Sequence, residues 1–109
     1  MYAFNFQITS DRRLKTNIKP IEDSLSKVNN LTGCTFNMNG IESEQGGLIA
    51  QDVEAVLLQA VSTNTEGYKT ISYSAVVALL TNAVKQLSAE VADLKSQLQT
   101  VAKQNELSV

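Results

Sequence analysis

Histidine and tryptophan are absent from this chain of 109 residues, and cysteine and proline occur once each. Without histidine, most zinc sites, the Ser-His-Asp triad and every histidine-based acid/base scheme are excluded together. A single cysteine, Cys34, excludes an internal disulfide. Neither a metal nor another cofactor is expected. Lys and Arg form no long run and the net charge is −2, so no nucleic-acid partner is expected. The longest apolar stretch, residues 74–80, falls far short of the roughly 20 residues that span a bilayer, and no membrane partner is expected. Residues 1–9 have neither the basic region nor the apolar core of a signal peptide. The length suits one domain with a modest core.

What is present divides into a patterned head and a long, unbroken tail. Tyr2, Phe4, Phe6 and Ile8 alternate with Ala3, Asn5, Gln7 and Thr9, the period of a strand with one bulky apolar face. Because Met1 opens in mid-pattern, residues 1–9 are expected to be the end of a longer upstream β-structure. Residues 10–13 break the pattern, and residues 14–18 suit a short extended piece. Pro20 stands where a helix would start, with Glu22 and Asp23 at the acidic end. Ile21, Leu25, Val28 and Leu31 are spaced four, three and three apart, which predicts a short amphipathic helix over residues 21–31. Cys34, Phe36 and Met38 alternate as a strand. Asn39-Gly40 is a turn signal that residues 42–47 extend into a polar loop. Residues 48–50 read as a buried strand or a helix lead-in. A helix over residues 51–58 follows, with Val53, Val56 and Leu57 facing in. Val61, a turn at residues 64–67 and residues 68–73 predict a hairpin.

From Ser74 onward there is no proline or glycine. With Leu80 at position d of a heptad, Leu87, Leu94 and Val101 follow at d. Val77, Val84, Val91, Leu98 and Asn105 then fall at a. The alternating steps of four and three persist for about four heptads, the pattern of a coiled-coil seam. At 1.5 Å per residue such a seam runs about 45 Å, longer than a core of this size can cover. The competing reading is a helix docked only on its own small core. Val at a and Leu at d lean towards two strands. The e residues (Thr81, Ser88, Lys95, Ala102) and g residues (Ala83, Glu90, Gln97, Gln104) are small or weakly charged, which favours three. Seam chemistry leaves dimer and trimer open.

The catalytic options that remain are carboxylates or Ser/Thr with Lys. Asp11, Glu22, Asp23, Glu42, Glu44, Asp52, Glu54 and Glu66 are scattered at positions that suit caps and solvated faces, and no spacing singles out an acid/base pair. Cys34 reads as a small core residue, and Gly46-Gly47, with no Lys-Ser/Thr after it, as a plain turn. Ser10 and Lys15 lie five apart in Ser-Asp-Arg-Arg-Leu-Lys. A serine hydroxyl is a nucleophile when a neighbouring amine takes its proton, and a lysine does so when desolvated or set beside other cations. Arg12 and Arg13 are candidates for that electrostatic push. On spacing alone the signal is weak, since many exposed segments hold a Ser and a Lys this close.

The run Ser-Asp-Arg-Arg-Leu-Lys-Thr-Asn-Ile-Lys-Pro-Ile (10–21) resembles the opening motif of the C-terminal intramolecular chaperone domain of phage endosialidases, tailspikes and tail fibres. The likeness continues through Gly-Leu-Ile-Ala-Gln-Asp-Val-Glu (47–54) and Gly-Tyr-Lys-Thr-Ile-Ser-Tyr (67–73) into the terminal helix. The resemblance implies a self-cleaving serine–lysine peptidase that trimerises and helps an upstream fibre to fold. By position, Ser10 matches the nucleophile and Lys15 the base, and the bond cut is Thr9–Ser10. Related domains occur in a membrane-bound animal transcription factor, but the strand pattern of residues 2–8 fits the phage setting better. The expected fold is α+β, with a small mixed strand/helix head (residues 10–72) and a long C-terminal helix (73–109) forming a parallel trimeric coiled coil. Residues 1–9 would end an upstream β-rich fibre or spike. The expected trimer seam is Val77, Leu80, Val84, Leu87, Val91, Leu94, Leu98 and Val101. The expected setting is a virion tail precursor assembled in the host cytoplasm, the chaperone leaving after cleavage. The alternative is an uncleaved trimerisation tip.

Overall fold

One helix, α3 (Tyr73–Leu107), takes 35 residues, about 52 Å of length. It emerges from a small head in a computed structural model that describes residues 7–107. The radius of gyration is 20.3 Å, against about 13 Å for a compact domain of this length. The molecule is therefore extended, 69 × 42 × 32 Å along its principal axes. The expected strand over residues 2–8 lies almost wholly outside the described residues.

The head is a set of short elements: helix α1 (Ser24–Asn29), strand β1 (Cys34–Asn37), strand β2 (Glu44–Gly47), helix α2 (Ala50–Val56), strand β3 (Val61–Thr63) and strand β4 (Lys69–Ile71). The strands form two separate antiparallel pairs, β1 with β2 and β3 with β4. In the first, Cys34 faces Gly47 and Asn37 faces Glu44. In the second, Val61 faces Ile71. The tight β3–β4 turn is organised by Asn64, whose Oδ1 accepts the N–H groups of Glu66 and Tyr68 at 3.0 Å each. This is the local side-chain mimicry that makes Asn a turn residue.

Three local expectations are corrected. Residues 42–47 are not all loop, because Glu44–Gly47 is strand β2. Its side chains are polar or missing, so no alternation marks it, and backbone pairing with β1 defines it. The helix expected over residues 21–31 is only Ser24–Asn29. Asp23 sits in the left-handed region at φ 52°, a conformation that Asp tolerates better than most residues. That corner places Ile21 against the core from outside the helix, where the Ile21 carbonyl accepts the buried Ser24 hydroxyl at 2.8 Å. Residues 14–18 form no strand, since a 3-10 turn occupies Arg12–Leu14 and Asn17 has φ 52°.

The core is small. Val53 and Leu57 from the α2 side, Ala60 from a following 3-10 turn, and Val76 and Leu79 from α3 form one buried cluster. Ile21, Val28, Leu31, Leu48, Ile71 and other half-buried side chains surround it. Helix α3 enters this core through Val76, Leu79 and Ala83. The same flank is tied by hydrogen bonds to the head. Asn82 Nδ2 donates to the Ile21 carbonyl at 3.3 Å, and Gln86 Oε1 accepts the Leu25 N–H at 3.1 Å. Leu79 is wholly buried, so Leu79→Ala removes its transfer energy and leaves a cavity. We expect about 3 kcal/mol of lost stability, read as an earlier denaturant midpoint with the helical signal of the distal helix retained.

Tyr73, the first residue of α3, reaches back to the β2–α2 junction, where its hydroxyl accepts the Leu48 N–H at 3.2 Å. A Cβ on Gly47 would stand 2.8 Å from that hydroxyl and 3.4 Å from the Phe36 ring. Gly47→Ala must displace the Tyr73 hydroxyl and cost this bond, about 1 kcal/mol. In a Tyr73→Phe background the same substitution should cost less, a non-additivity that a double-mutant cycle reads directly.

Candidate active site

Ser10 and Lys15 are brought together by the turn between them. Asp11 opens it in an extended conformation (φ −65°, ψ 131°) as the N-cap of Arg12–Leu14. Asp11 Oδ1 accepts the Arg13 N–H at 2.9 Å. The Asp11 carbonyl accepts the Leu14 N–H at 3.0 Å, and that of Arg12 accepts the Lys15 N–H at 3.1 Å. Lys15 then returns to an extended conformation, and its Nζ donates to Ser10 Oγ at 2.5 Å. Thr9, whose carbonyl lies on the N-terminal side of Ser10, is in an irregular exposed segment.

The electrostatics differ from the expectation in one respect. Arg13 does not spend its charge on Lys15, because its Nε and Nη2 donate to the two carboxylate oxygens of Asp11 at 3.1 and 3.0 Å. This fork cancels most of the push that Arg13 would exert. The Arg13 side-chain bonds, then its N–H, hold the Asp11 carboxyl below its ordinary value of 3.8. Asp11 in turn raises the Arg13 guanidinium. A lowered carboxyl means the fork is complete at neutral pH and is lost only as the pH falls through that depressed range. The sequence placed Asp11 among cap positions, which it occupies; its pairing with Arg13 carried no separate signal.

Residues 7–20 are all exposed in the single chain, Ser10 and Lys15 included. In the bond between them the lysine donates. An ammonium has no acceptor, so taking a proton from the hydroxyl requires Lys15 first to give up its own, which removal from water promotes.

The other candidates are placed elsewhere. Cys34 is half-buried in the β1–β2 pair, its Sγ donating to the Gly47 carbonyl at 3.4 Å. Gly46 and Gly47 are strand residues and form no phosphate cradle. Among the described residues no cluster of metal-binding side chains exists, and no helix is long and apolar enough to cross a membrane.

The second candidate surface is the heptad face of α3. Val77, Leu80, Val84, Leu87, Val91, Leu94, Leu98 and Val101 are 42–69 % exposed. Helix α3 thus carries two separate apolar faces. One, through Val76, Leu79 and Ala83, docks on the head; the heptad face stays uncovered by its own chain. The docking expected of a helix on its own small core is therefore seen, on one face and over the first turns of the helix, and the heptad face is left exposed. One argument is revised: Ala83, the one small residue among the g positions considered, is buried under the head and cannot line a seam. The open edge lies on the e side, where Val84, Leu87, Ser88, Val91, Ala92 and Lys95 line a shallow groove.

Residues 10–62, from Ser10 into the head's third strand, match the family described as chaperone of endosialidase. Over those residues the chain belongs to the chaperone-of-endosialidase family. It is 43% identical to the long tail fiber protein Gp37 of Enterobacteria phage K3, over 106 aligned residues that make up 88% of this chain and 8% of that protein. Gp37 of Enterobacteria phage T2 matches at the same 43% identity and coverage. Gp37 of Salmonella phage S16 is 35% identical over 109 aligned residues, 90% of this chain and 15% of that protein. The chain thus spans less than a sixth of the length of these relatives. A match over 88% of the chain necessarily takes in most of α3, so in the K3 and T2 fibre proteins head and helix occur together.

Proposed function

We propose that this domain is the trimerising chaperone of a phage tail fibre and that it releases itself by cutting the Thr9–Ser10 bond. In this reading residues 1–9 end the upstream fibre, residues 10–72 form the chaperone head and residues 73–109 clamp three chains in parallel. The observation that carries the chemistry is the contact of Lys15 Nζ with Ser10 Oγ at 2.5 Å.

The steps follow from the positions of the groups. Once desolvated and neutral, Lys15 takes the Ser10 hydroxyl proton as Oγ attacks the Thr9 carbonyl carbon. The tetrahedral centre collapses with loss of the Ser10 amine, which Lys15 protonates, and Thr9 is left esterified to Ser10 Oγ. Water hydrolyses that ester, freeing the Thr9 carboxylate and regenerating the hydroxyl. Each chain reacts once, so the reaction is maturation rather than turnover. Its dependence on assembly follows from burial: a lone chain leaves Lys15 in water, whereas packed copies exclude it.

The purpose is also physical. Interleaved β-structures built from three chains have non-local contacts, fold slowly and expose strand edges meanwhile. Clamping three chains in register raises their mutual concentration to roughly millimolar. Removing the clamp afterwards leaves a fibre whose persistence is set by its unfolding rate. In this reading the domain acts in a virion tail precursor within the infected host, with the chaperone lost on maturation. Time-resolved mass spectrometry of the purified chain tests the reading. A fragment beginning at Ser10 supports it; a chain that stays intact in its assembled form overturns the cleavage and leaves an uncleaved trimerisation tip.

A further inference from the structure

Lys15 reaches Ser10 although nothing buried holds either residue. Five residues of extended chain would separate their Cα atoms by about 17 Å, so the contact depends on the reversal between them. That reversal is a single 3-10 turn, too short to persist on its own backbone bonds. Every residue from 7 to 20 is exposed, so burial in the head supplies little of the missing hold. It is local, and it converges on one side chain. Asp11 Oδ1 accepts both the N–H and the Nε of Arg13, and Oδ2 accepts Nη2.

We infer that Asp11, with Arg13 as its counter-ion, is a positioning residue for self-cleavage: it sets the turn that delivers Lys15 to Ser10. This rests on the reading of Ser10 and Lys15 as nucleophile and base. Asp11 does so while its own carboxylate is occupied by Arg13, so it is neither the base nor an acid in the reaction. Two roles are combined in it, capping the turn and pairing with Arg13, and substitutions separate them. Asp11→Ala removes both. Asp11→Asn keeps an acceptor for the Arg13 N–H but loses the charge. Arg13→Ala keeps the cap and loses the fork.

The test uses the full chain and three readouts: the first-order rate of Thr9–Ser10 cleavage by mass spectrometry, the cross-peak between Lys15 Hε and Ser10 Hβ by nuclear Overhauser spectroscopy, and Tm with oligomeric mass. Loss of a capping side chain corresponds to about a tenfold change in the turn's population. Asp11→Ala is therefore expected to cleave about tenfold more slowly and to lose most of the cross-peak, with Tm and mass unchanged. Asp11→Asn and Arg13→Ala should fall between it and the parent. An Asp11→Ala chain that cleaves at the parent rate with its cross-peak intact overturns the inference and leaves the dyad standing. A slower rate that tracks a fallen Tm also overturns it, since the effect is then structural. If the parent itself is never cut, the dyad reading fails. The inference is then judged on the cross-peak alone: lost in Asp11→Ala it supports the turn-setting role, and retained it refutes it.

Discussion

Ser10→Ala is expected to yield a chain that assembles and stays in one piece. The substitution removes the hydroxyl that Lys15 contacts, the group that the proposed reaction uses to attack the Thr9 carbonyl. Losing the nucleophile of a serine peptidase costs on the order of 10⁶ in rate, so no fragment should accumulate over days. Assembly should be untouched, because Ser10 is exposed and is not a residue of the heptad face of α3. Lys15→Ala should behave similarly, since it removes the group in contact with Ser10 Oγ. Intact mass together with sedimentation velocity reads both quantities on one sample. Two fragments from Ser10→Ala, broken between Thr9 and Ser10, would show that the serine is not the nucleophile.

Breaking the seam should have an effect of comparable size on association. Leu87 sits at a d position near the middle of the exposed heptad face, clear of the flank that Val76, Leu79 and Ala83 spend on the head. Leu87→Asp places one unpaired carboxylate per chain in the centre of the assembly, where burying it costs several kcal/mol. We expect the midpoint of association to rise more than a hundredfold in concentration, leaving monomers at micromolar protein. Ser96→Asp, on the opposite exposed face of the same helix, should leave association unchanged. Cleavage supplies the second readout. If Lys15 is desolvated only by neighbouring copies, the monomeric Leu87→Asp chain should cut slowly or not at all. Full-rate cleavage by a proven monomer would sink the dependence on assembly while leaving the Ser10–Lys15 chemistry in place.

Legibility of the fold varied with how much side-chain pattern each element needed. Helix α3 was readable throughout, because a run without Pro or Gly and a four-three repeat are statements about side chains. The β3–β4 hairpin was readable from Asn64 to Gly67, where turn chemistry is local. Strand β2 was not readable. Glu44, Gln45, Gly46 and Gly47 offer no apolar alternation, and what makes them a strand is the backbone register with Cys34–Asn37. The start of α1 was misplaced by the left-handed Asp23, a conformation that composition does not announce. At the site, the pair Ser10 and Lys15 was visible as residue types five apart. Their contact was not, since it depends on the reversal made by the 3-10 turn at Arg12–Leu14.

By itself, the sequence determined that no histidine chemistry operates and that the chain ends in a helix carrying a continuous heptad face. It also contained one serine–lysine pair within an Asp-Arg-Arg turn. Only the tertiary structure decided which helix face is already spent. Val76, Leu79 and Ala83 close the head's own core, while Val77, Leu80, Val84 and their successors remain open to water. The reason is geometric. Successive helix residues lie about 100° apart, so neighbours such as Val76 and Val77 point to different surroundings. Which of two apolar faces a small head covers depends on where α1 and α2 pack, and no local pattern in α3 encodes that choice.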